Sequence, residues 1–382
     1  LFGTGLNRDV EGIFADVIDI INDFSNIVLS IDIASGVDGL TGKIRGKAVR
    51  ADATVTFFLP KLGMVQYPGA SCMGELTVAD IGIPYALAEN LITPELMEKD
   101  DISDLIPVRA EDGHKGTFGT LLMVTGSRGM TGAAYLSAFA AYQTGSGLVR
   151  LAAPKSCTDT LAVLIPEAVF KPMPENGGHL CGCDDDALKE LLENADTVLA
   201  GPGLTCNDDT HGLLKDLVNH CEVPMVFDAD ALNLFAKDRK LLEDLRCEAV
   251  ITPHPAEMAR LMGIGVKDVQ ENRIGTARQF ADEYGLTVVL KGAGTVIAAN
   301  DGRVAVNPTG NDGMATAGAG DVLAGMITSL LGQGMEPYEA AVLGAYLHGL
   351  AGDFAARKKG RSLMASDIAG NIPDALNYIL TP

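Results

Sequence analysis

Residues 307–321 read NPTGNDGMATAGAGD, and Asp321 also opens the apolar run DVLAGMITSLL. Gly310, Gly313, Gly318 and Gly320, with Gly325 further on, surround Thr309, Asn311 and Thr316. Glycine lets the backbone turn its N–H groups inward with no Cβ in the way. The run that follows has helical character, so its first turn brings free N–H groups and the positive end of a dipole. Together these features predict an anion hole for phosphate. Asp321 is then placed where a carboxylate accepts a proton from a substrate hydroxyl, as a catalytic base. Helix capping alone would account for Asp321, but it leaves the clustered glycines unexplained.

Working outward, short apolar runs alternate with helical patterns. Strands are expected at 120–125, 148–152, 197–200, 225–228, 249–252, 286–290 and 296–298. Helices are expected at 133–142, 256–262, 273–284, 322–331 and 338–356. This alternation predicts an α/β fold with a mainly parallel sheet covered by helices on both faces. Ligands bind such sheets at the carboxyl ends of the strands. Gly126 and the segments 201–203, 228–233, 252–257, 291–295 and 307–321 all follow expected strands, so one cleft is expected to hold them.

Each segment has a chemical and a structural reading. Lys291-Gly-Ala-Gly-Thr295 can clamp a second phosphate or a ribose, with Lys291 supplying charge and Thr295 donating; alone it is a strand-end turn. Two prolines confine His254 in Thr-Pro-His-Pro-Ala-Glu at 252–257; otherwise it is a helix-entry turn. Asp228 and Asp230, in FDADALN at 227–233, could hold Mg²⁺ through water or cap a helix. Gly201-Pro-Gly203 permits close backbone approach, or is a plain turn. The small residues from Gly126 to Ala133 suggest a place for a planar ligand against a helix.

The first region, 1 to about 90, reads as further strand–helix units: a helix at 10–21 and buried strands at 27–33, 53–59 and 75–81. Asp32 sits in or at the end of the first of these, where a carboxylate is unfavourable unless paired or used. Gly3-Thr-Gly5-Leu-Asn-Arg8-Asp9 is a glycine turn before a helix, with Arg8 available for phosphate. A polar stretch at 91–115, with an acidic cluster at 98–101, is expected to link the two regions. Domain limits are set at 1–95 and 105–382, with the linker at 96–114. The chain opens LFGTGLNRD, which is expected to be the interior of a domain rather than its start.

With 382 residues the chain exceeds one ordinary domain. Its net charge of −21 disfavours nucleic acid and anionic membrane as partners, though not a small anion held locally. No apolar run approaches the roughly 18 residues of a membrane span, and no secretory signal is seen. The seven cysteines are irregularly spaced. His179, Cys181 and Cys183 lack a second ligand pair for a metal, so free thiols in a reducing cytoplasm are expected.

Several of these segments together resemble the carboxy-terminal domain of the bifunctional NAD(P)H-hydrate repair enzymes. They are KGTFG at 115–119, GPGL at 201–204, FDADALN at 227–233, TPHPAE at 252–257, KGAGT at 291–295 and residues 307–321. LFGTGLNRDVEG, SIDIASGVDGLTG and ATVTFFLPKLG in the first region resemble the later part of that family's epimerase domain. The resemblance implies a ribokinase-like three-layer α/β domain, preceded by a partial Rossmann-like α/β domain. It implies an ADP-dependent lyase that dehydrates hydrated NADH or NADPH, and an isomerase that interconverts the epimers of the hydrate.

The same resemblance assigns roles. Asp321 contacts the hydrate as base, and Ala133, Gly203 and His254 contact the hydrated dinucleotide. Lys291, Gly292, Ala293, Gly294 and Thr295, with Gly318 and Gly320, hold ADP, and Mg²⁺ accompanies it. In the epimerase part, Asp32 and Gly3, Thr4, Gly5, Leu6, Asn7, Arg8 and Asp9 bind substrate, and Ser35 contributes to a K⁺ site. A cytoplasmic homo-oligomer is expected. The family's asparagine-and-glycine motif and a potassium-binding aspartate have no counterpart here, so weak epimerase activity is expected of the 382 residues. An epimer-interconversion assay tests this, and rates matching the full-length enzyme would refute it. Two other readings fit parts of the pattern: a small-molecule kinase related to hydroxyethylthiazole kinase, and a nucleotide-sensing module without catalysis.

Overall fold

The computed structural model describes residues 1–24, 26–88 and 93–381, which form two compact units, Leu1–Leu96 and Met97–Pro382. Of the linker expected over 91–115, residues 91 and 92 lie outside the described residues.

In the first unit, α1 (Ile13–Phe24) precedes three parallel strands, β1 (Leu29–Ile31), β2 (Ala53–Phe57) and β3 (Glu75–Ala79), in that order across the sheet. The helix starts later than position 10 because Val10 is buried and bonded to the Arg45 carbonyl, and Gly12 then turns at φ 58°. The expectation of buried strands needs correction. Leu29 and Ile31 are 60% and 70% exposed, and only Ser30 points inward. With a side-chain period of two, Leu29 and Ile31 share one face of β1, and no described element covers that face.

In the second unit the strands of the main sheet are β4 (Thr120–Val124), β5 (Leu148–Pro154), β6 (Val169–Met173), β7 (Thr197–Ala200), β8 (Met225–Phe227), β9 (Ala249–Ile251), β10 (Thr287–Leu290), β11 (Val296–Ala298) and β12 (Val304–Val306). They lie in the order β12-β11-β10-β9-β8-β7-β4-β5-β6. All neighbours are parallel except β10–β11 and β11–β12. Alternate residues of each strand enter two cores. Leu121, Met123, Leu199 and Val226 face one, and Leu122, Val124, Val198 and Phe227 face the other. The first core is closed by α2 (Thr131–Thr144), α6 (Ala319–Gly332) and α7 (Pro337–Lys359). The second is closed by helices that include α3 (Asp230–Lys237), α4 (Pro255–Met262) and α5 (Arg273–Tyr284). This is the expected three-layer α/β arrangement.

The strand order reverses direction between β4 and β7. That reversal opens a crevice beyond the carboxyl ends of these two strands. Gly126 follows β4 and donates its N–H to the Pro202 carbonyl after β7, at 2.8 Å, so the two loops meet there.

Candidate active site

The loop 307–318 divides into an anchored half and a donating half. In the anchored half, the Asn307 side chain donates to the Ala345 carbonyl at 3.0 Å and accepts from Thr309. The Thr309 hydroxyl reaches the Tyr346 carbonyl at 2.9 Å. Asn311 caps a short 3₁₀ turn by accepting from Gly313 N–H. Thr309 and Asn311 therefore hold the loop in place instead of lining the anion hole. In the donating half, Gly318 turns at φ 90° and caps α6. The N–H groups of Gly318, Gly320 and Asp321 find no acceptor among the described residues. Three free donors at a helix start form an anion site.

α6 starts at Ala319, so Asp321 lies in its first turn and is not the capping residue. Its carboxylate makes no hydrogen bond among the described residues. Burial, together with the nearby Asp228 charge and against the pull of Lys291, pushes its pKa up to about 7. A carboxylate so placed is a stronger base at neutral pH than an exposed aspartate.

Lys291 lies 63 positions from Asp228 in sequence and meets it at the strand ends, with Nζ 2.6 Å from Oδ1. The Asp228 side chain is 2% exposed. Burial alone would lower the Lys291 pKa, but Asp228 and Glu257 outweigh it and hold the ammonium charged. A Cβ built on Gly320 would lie 3.1 Å from Lys291 Nζ and 3.5 Å from Asp228 Oδ2, so the anion-hole helix starts on this ion pair. Ala229, between Asp228 and Asp230, adopts φ 51° without being glycine. Asp230 points the other way, accepting from Thr205 N–H at 2.9 Å.

His254 caps α4: its Nδ1 accepts from Ala256 and Glu257 N–H. Its Nε2 then faces Glu257 Oε1 at 3.4 Å. Burial and the Lys291 charge lower its pKa, so it is neutral at pH 7. Glu257 is buried, accepts from His254 N–H at 2.8 Å, and is raised to about 7 by burial. Both ring nitrogens of His254 thus face protein groups: one caps the helix and the other faces Glu257.

Gly203 turns at φ 68°, and a Cβ there would lie 3.0 Å from the Met130 carbonyl oxygen and 3.1 Å from the Ala133 methyl. Gly203 and Ala133 therefore share one wall of the crevice. In Lys291–Thr295, Gly292 and Gly294 have positive φ, and the Thr295 hydroxyl bonds Gly292 within the turn at 2.9 Å. The same hydroxyl accepts from Gly292 N–H at 3.2 Å, which closes the turn. Sequence reasoning missed Arg273, which is buried and donates to the carbonyls of Leu290, Lys291 and Gly294, shaping this turn from beneath. A buried arginine in a helix carries no local signal, because its partners are all distant carbonyls.

In the first unit, Asp32 has φ 67° and accepts from Thr56 Oγ1 at 3.2 Å and from Lys61 Nζ. Burial would raise its pKa, but Lys61 draws it below the ordinary value. The 3–9 loop is largely exposed, and a Cβ on Gly39 would be 3.6 Å from the Thr4 methyl. Ser35 Oγ donates to the Phe2 carbonyl and accepts from the Phe2 and Leu1 nitrogens. These bonds use its donor and acceptor capacity.

Among the described residues no group of three or more His, Cys, Asp or Glu is arranged to hold a metal. With Asp228 Oδ1 on Lys291 and Asp230 Oδ2 on Thr205 N–H, neither aspartate of 227–233 has both carboxylate oxygens free for a metal. That suits a hydrated Mg²⁺ carried on phosphates, not a protein cage. Among the described residues no helix is long and apolar enough to cross a membrane.

Comparison with known proteins bears on what this site does. The family model described as NAD(P)H-hydrate dehydratase matches residues 121–374, and that of the YjeF-related protein N-terminus matches residues 1–63. The bifunctional NAD(P)H-hydrate repair enzyme of Moorella thermoacetica is 45% identical over 382 residues, covering 100% of this chain and 72% of its own. That of Escherichia coli is 35% identical over 100% of this chain and 71% of its own. Among solved structures, the ADP/ATP-dependent NAD(P)H-hydrate dehydratase of Bacillus subtilis, co-crystallised with ATP and Mg²⁺, superposes with TM-score 0.66. It is 27% identical and covers 76% of this chain and 100% of that one. A ribokinase-like superfamily protein from Enterococcus faecalis V583 gives TM-score 0.66 at 27% identity, over 77% and 100%.

Proposed function

The chain belongs to the family of bifunctional NAD(P)H-hydrate repair enzymes, and on that premise we propose that its second unit restores hydrated NADH and NADPH by nucleotide-dependent dehydration. The observation that supports this most is Asp321, raised to about 7, beside three free N–H donors and Lys291. Hydroxide is a poor leaving group. Asp321 takes the proton from the hydroxyl of the hydrated nicotinamide, and that oxygen attacks the terminal phosphoryl group of the nucleotide. The free N–H groups of Gly318, Gly320 and Asp321 and the Lys291 ammonium stabilise the charge on the phosphoryl oxygens. The ring nitrogen's lone pair then expels phosphate, and loss of a proton from the adjacent carbon restores the double bond. The products are NADH or NADPH, phosphate and a nucleotide one phosphate shorter. Magnesium bound to the nucleotide supplies further charge neutralisation.

Within the same proposal, Ala133, Gly203 and His254 contact the hydrated dinucleotide, and Lys291–Thr295 with Gly318 and Gly320 hold ADP in preference to ATP. The first unit takes the epimerase role, with Asp32 and the 3–9 loop on substrate and Ser35 contributing to a potassium site. A cytoplasmic homo-oligomer completes the proposal.

Incubation with hydrated NADH, Mg²⁺ and ADP or ATP, followed by absorbance of restored NADH, tests the function. Recovery that requires the nucleotide is expected. No recovery, with phosphate transfer to a thiazole alcohol, points to the small-molecule kinase, and nucleotide binding alone points to a sensor. The pH profile adds a second check. Because Asp321 must be ionised, kcat/KM is expected to rise with pH through about 7. Glu257→Gln removes a like charge that raises the Asp321 pKa, so this acid limb moves to lower pH. A limb unmoved by Glu257→Gln, or centred near pH ~4, the ordinary aspartate range, removes the burial-raised aspartate from the mechanism.

A further inference from the structure

α7 is a mould for the phosphate loop. Residues 345, 346, 349, 352 and 353 fall on one helical face. Gly349 and Gly352 leave that face bare: a Cβ would lie 2.1 Å from the Thr309 hydroxyl at Gly349, and 2.2 Å from the Met314 sulfur at Gly352. The backbone of the loop can rest there only because these residues lack side chains. The carbonyls of Ala345 and Tyr346 take hydrogen bonds from Asn307 and Thr309. The His348 ring lies against the Ala319 backbone at the start of α6, and burial holds its pKa at about 4, so it is neutral.

Asp353 makes the contact that fixes loop shape. Its Oδ2 accepts from Gly310 N–H at 3.0 Å and its Oδ1 accepts from Asn311 Nδ2 at 2.8 Å. Gly310 stands at φ 106°, where the chain reverses, and Asn311 passes the constraint on to Gly313 N–H at 3.0 Å. The carboxylate thus grips both sides of the turn that leads from the anchored half of the loop to its donating half. Neither the motif nor the family roles call attention to Asp353, which lies 42 and 43 positions from its partners.

We propose that Asp353 is a positioning residue of the nucleotide site: by clamping Gly310 and Asn311 it sets the geometry in which Gly318, Gly320 and Asp321 present their N–H groups to the terminal phosphate. This rests on the nucleotide-dependent reading of that site. Asp353 acts through the loop and has no role at the reacting atoms. Its loss is therefore felt in nucleotide affinity and in kcat, and not in the affinity for the hydrated dinucleotide.

The test is an exchange across the clamp in the full chain. Asp353→Asn presents an amide to the Asn311 amide, so one hydrogen bond is lost. Combining it with Asn311→Asp restores every bond with the two groups swapped. The carboxylate now at position 311 accepts from the amide now at position 353 and from Gly313 N–H. The amide oxygen at position 353 accepts from Gly310 N–H. Calorimetry with Mg·ADP and steady-state kinetics with hydrated NADH are measured alongside melting temperature. Asp353→Asn and Asp353→Ala are expected to weaken ADP binding about tenfold and to lower kcat about 10- to 100-fold, with KM for hydrated NADH within about twofold. The exchanged pair is expected to regain parental affinity and kcat within about threefold. Folded single variants with parental ADP affinity and kcat overturn the proposal, as does an exchanged pair no better than the singles. Binding of ADP by the parent without NADH recovery sinks the dehydratase reading, while the affinity comparison still decides the role of Asp353.

Discussion

Replacing Asp321 by Asn is expected to lower dehydration turnover by about 10²–10⁴-fold, the range over which positioned proton transfer contributes, while ADP affinity stays within about threefold. The substitution is isosteric and leaves the three N–H donors, Lys291 and the loop in place. Only the group that takes the proton is lost. The same variant carries an independent signature in stability. The folded pKa of Asp321, about 7, lies above the ordinary value of 3.8. The folded state therefore holds this proton more tightly than the unfolded chain. The stability this confers is complete below about pH 4 and is lost as pH rises through 7. Asn cannot ionise, so Asp321→Asn should be more stable than the parent at pH 8, by about 1–3 kcal/mol once partial exposure and coupling are allowed for. The gap should close toward pH 4. A variant that retains turnover removes Asp321 from the base role. A variant with no gain at pH 8 shows that burial does not hold the carboxyl protonated.

Lys291→Met has the opposite sign and a larger effect on stability. Asp228, Glu257 and Asp321 surround one ammonium. Removing it leaves the Asp228 carboxylate, which is 2% exposed, without its 2.6 Å partner. Breaking a buried pair from one side costs about 3–5 kcal/mol. The loss should be greatest at pH 8, where Glu257 and Asp321 are ionised, and smaller at pH 5, where both are protonated. Denaturant unfolding at the two pH values measures it. Nucleotide-dependent turnover should vanish as well, because the cation facing the phosphates is gone. Equal destabilisation at both pH values would mean that packing of the lysine stem, not its charge, holds the cluster together.

Much of this site is legible in the chain because its signals are local. Glycine spacing in 307–321 announces the anion hole, and apolar runs followed by polar turns announce which strand ends carry it. Sequence cannot announce pairings made across the sheet. Asp228 and Lys291 each stand out as strand-end polar residues, but 63 positions separate them, and only the parallel register brings them together. The same holds for Arg273 beneath the 291–295 turn. Motif reading also assigns too much to each polar residue. Thr309 and Asn311 look like ligand contacts by type, yet their hydrogen bonds fold the loop itself. In the first unit, the run at 27–33 is apolar enough to suggest a buried strand. Burial depends on what covers a face, and the run itself does not encode this.

The moulding of the phosphate loop on α7 limits how its length can change. Surface loops ordinarily accept insertions because their ends are fixed and their middles are free. Here the middle is fixed: contacts at Asn307, Thr309, Gly310 and Asn311 match successive positions on a rigid helix. One added residue between Asn307 and Asn311 would displace the donors that follow it relative to their acceptors by up to about 3.5 Å, beyond what a hydrogen bond tolerates. The segment should therefore keep constant length among functional relatives while its exposed side chains vary. Length variation should gather instead in hairpin tips such as the one at Gly302, where an added Cβ would meet nothing within 4 Å.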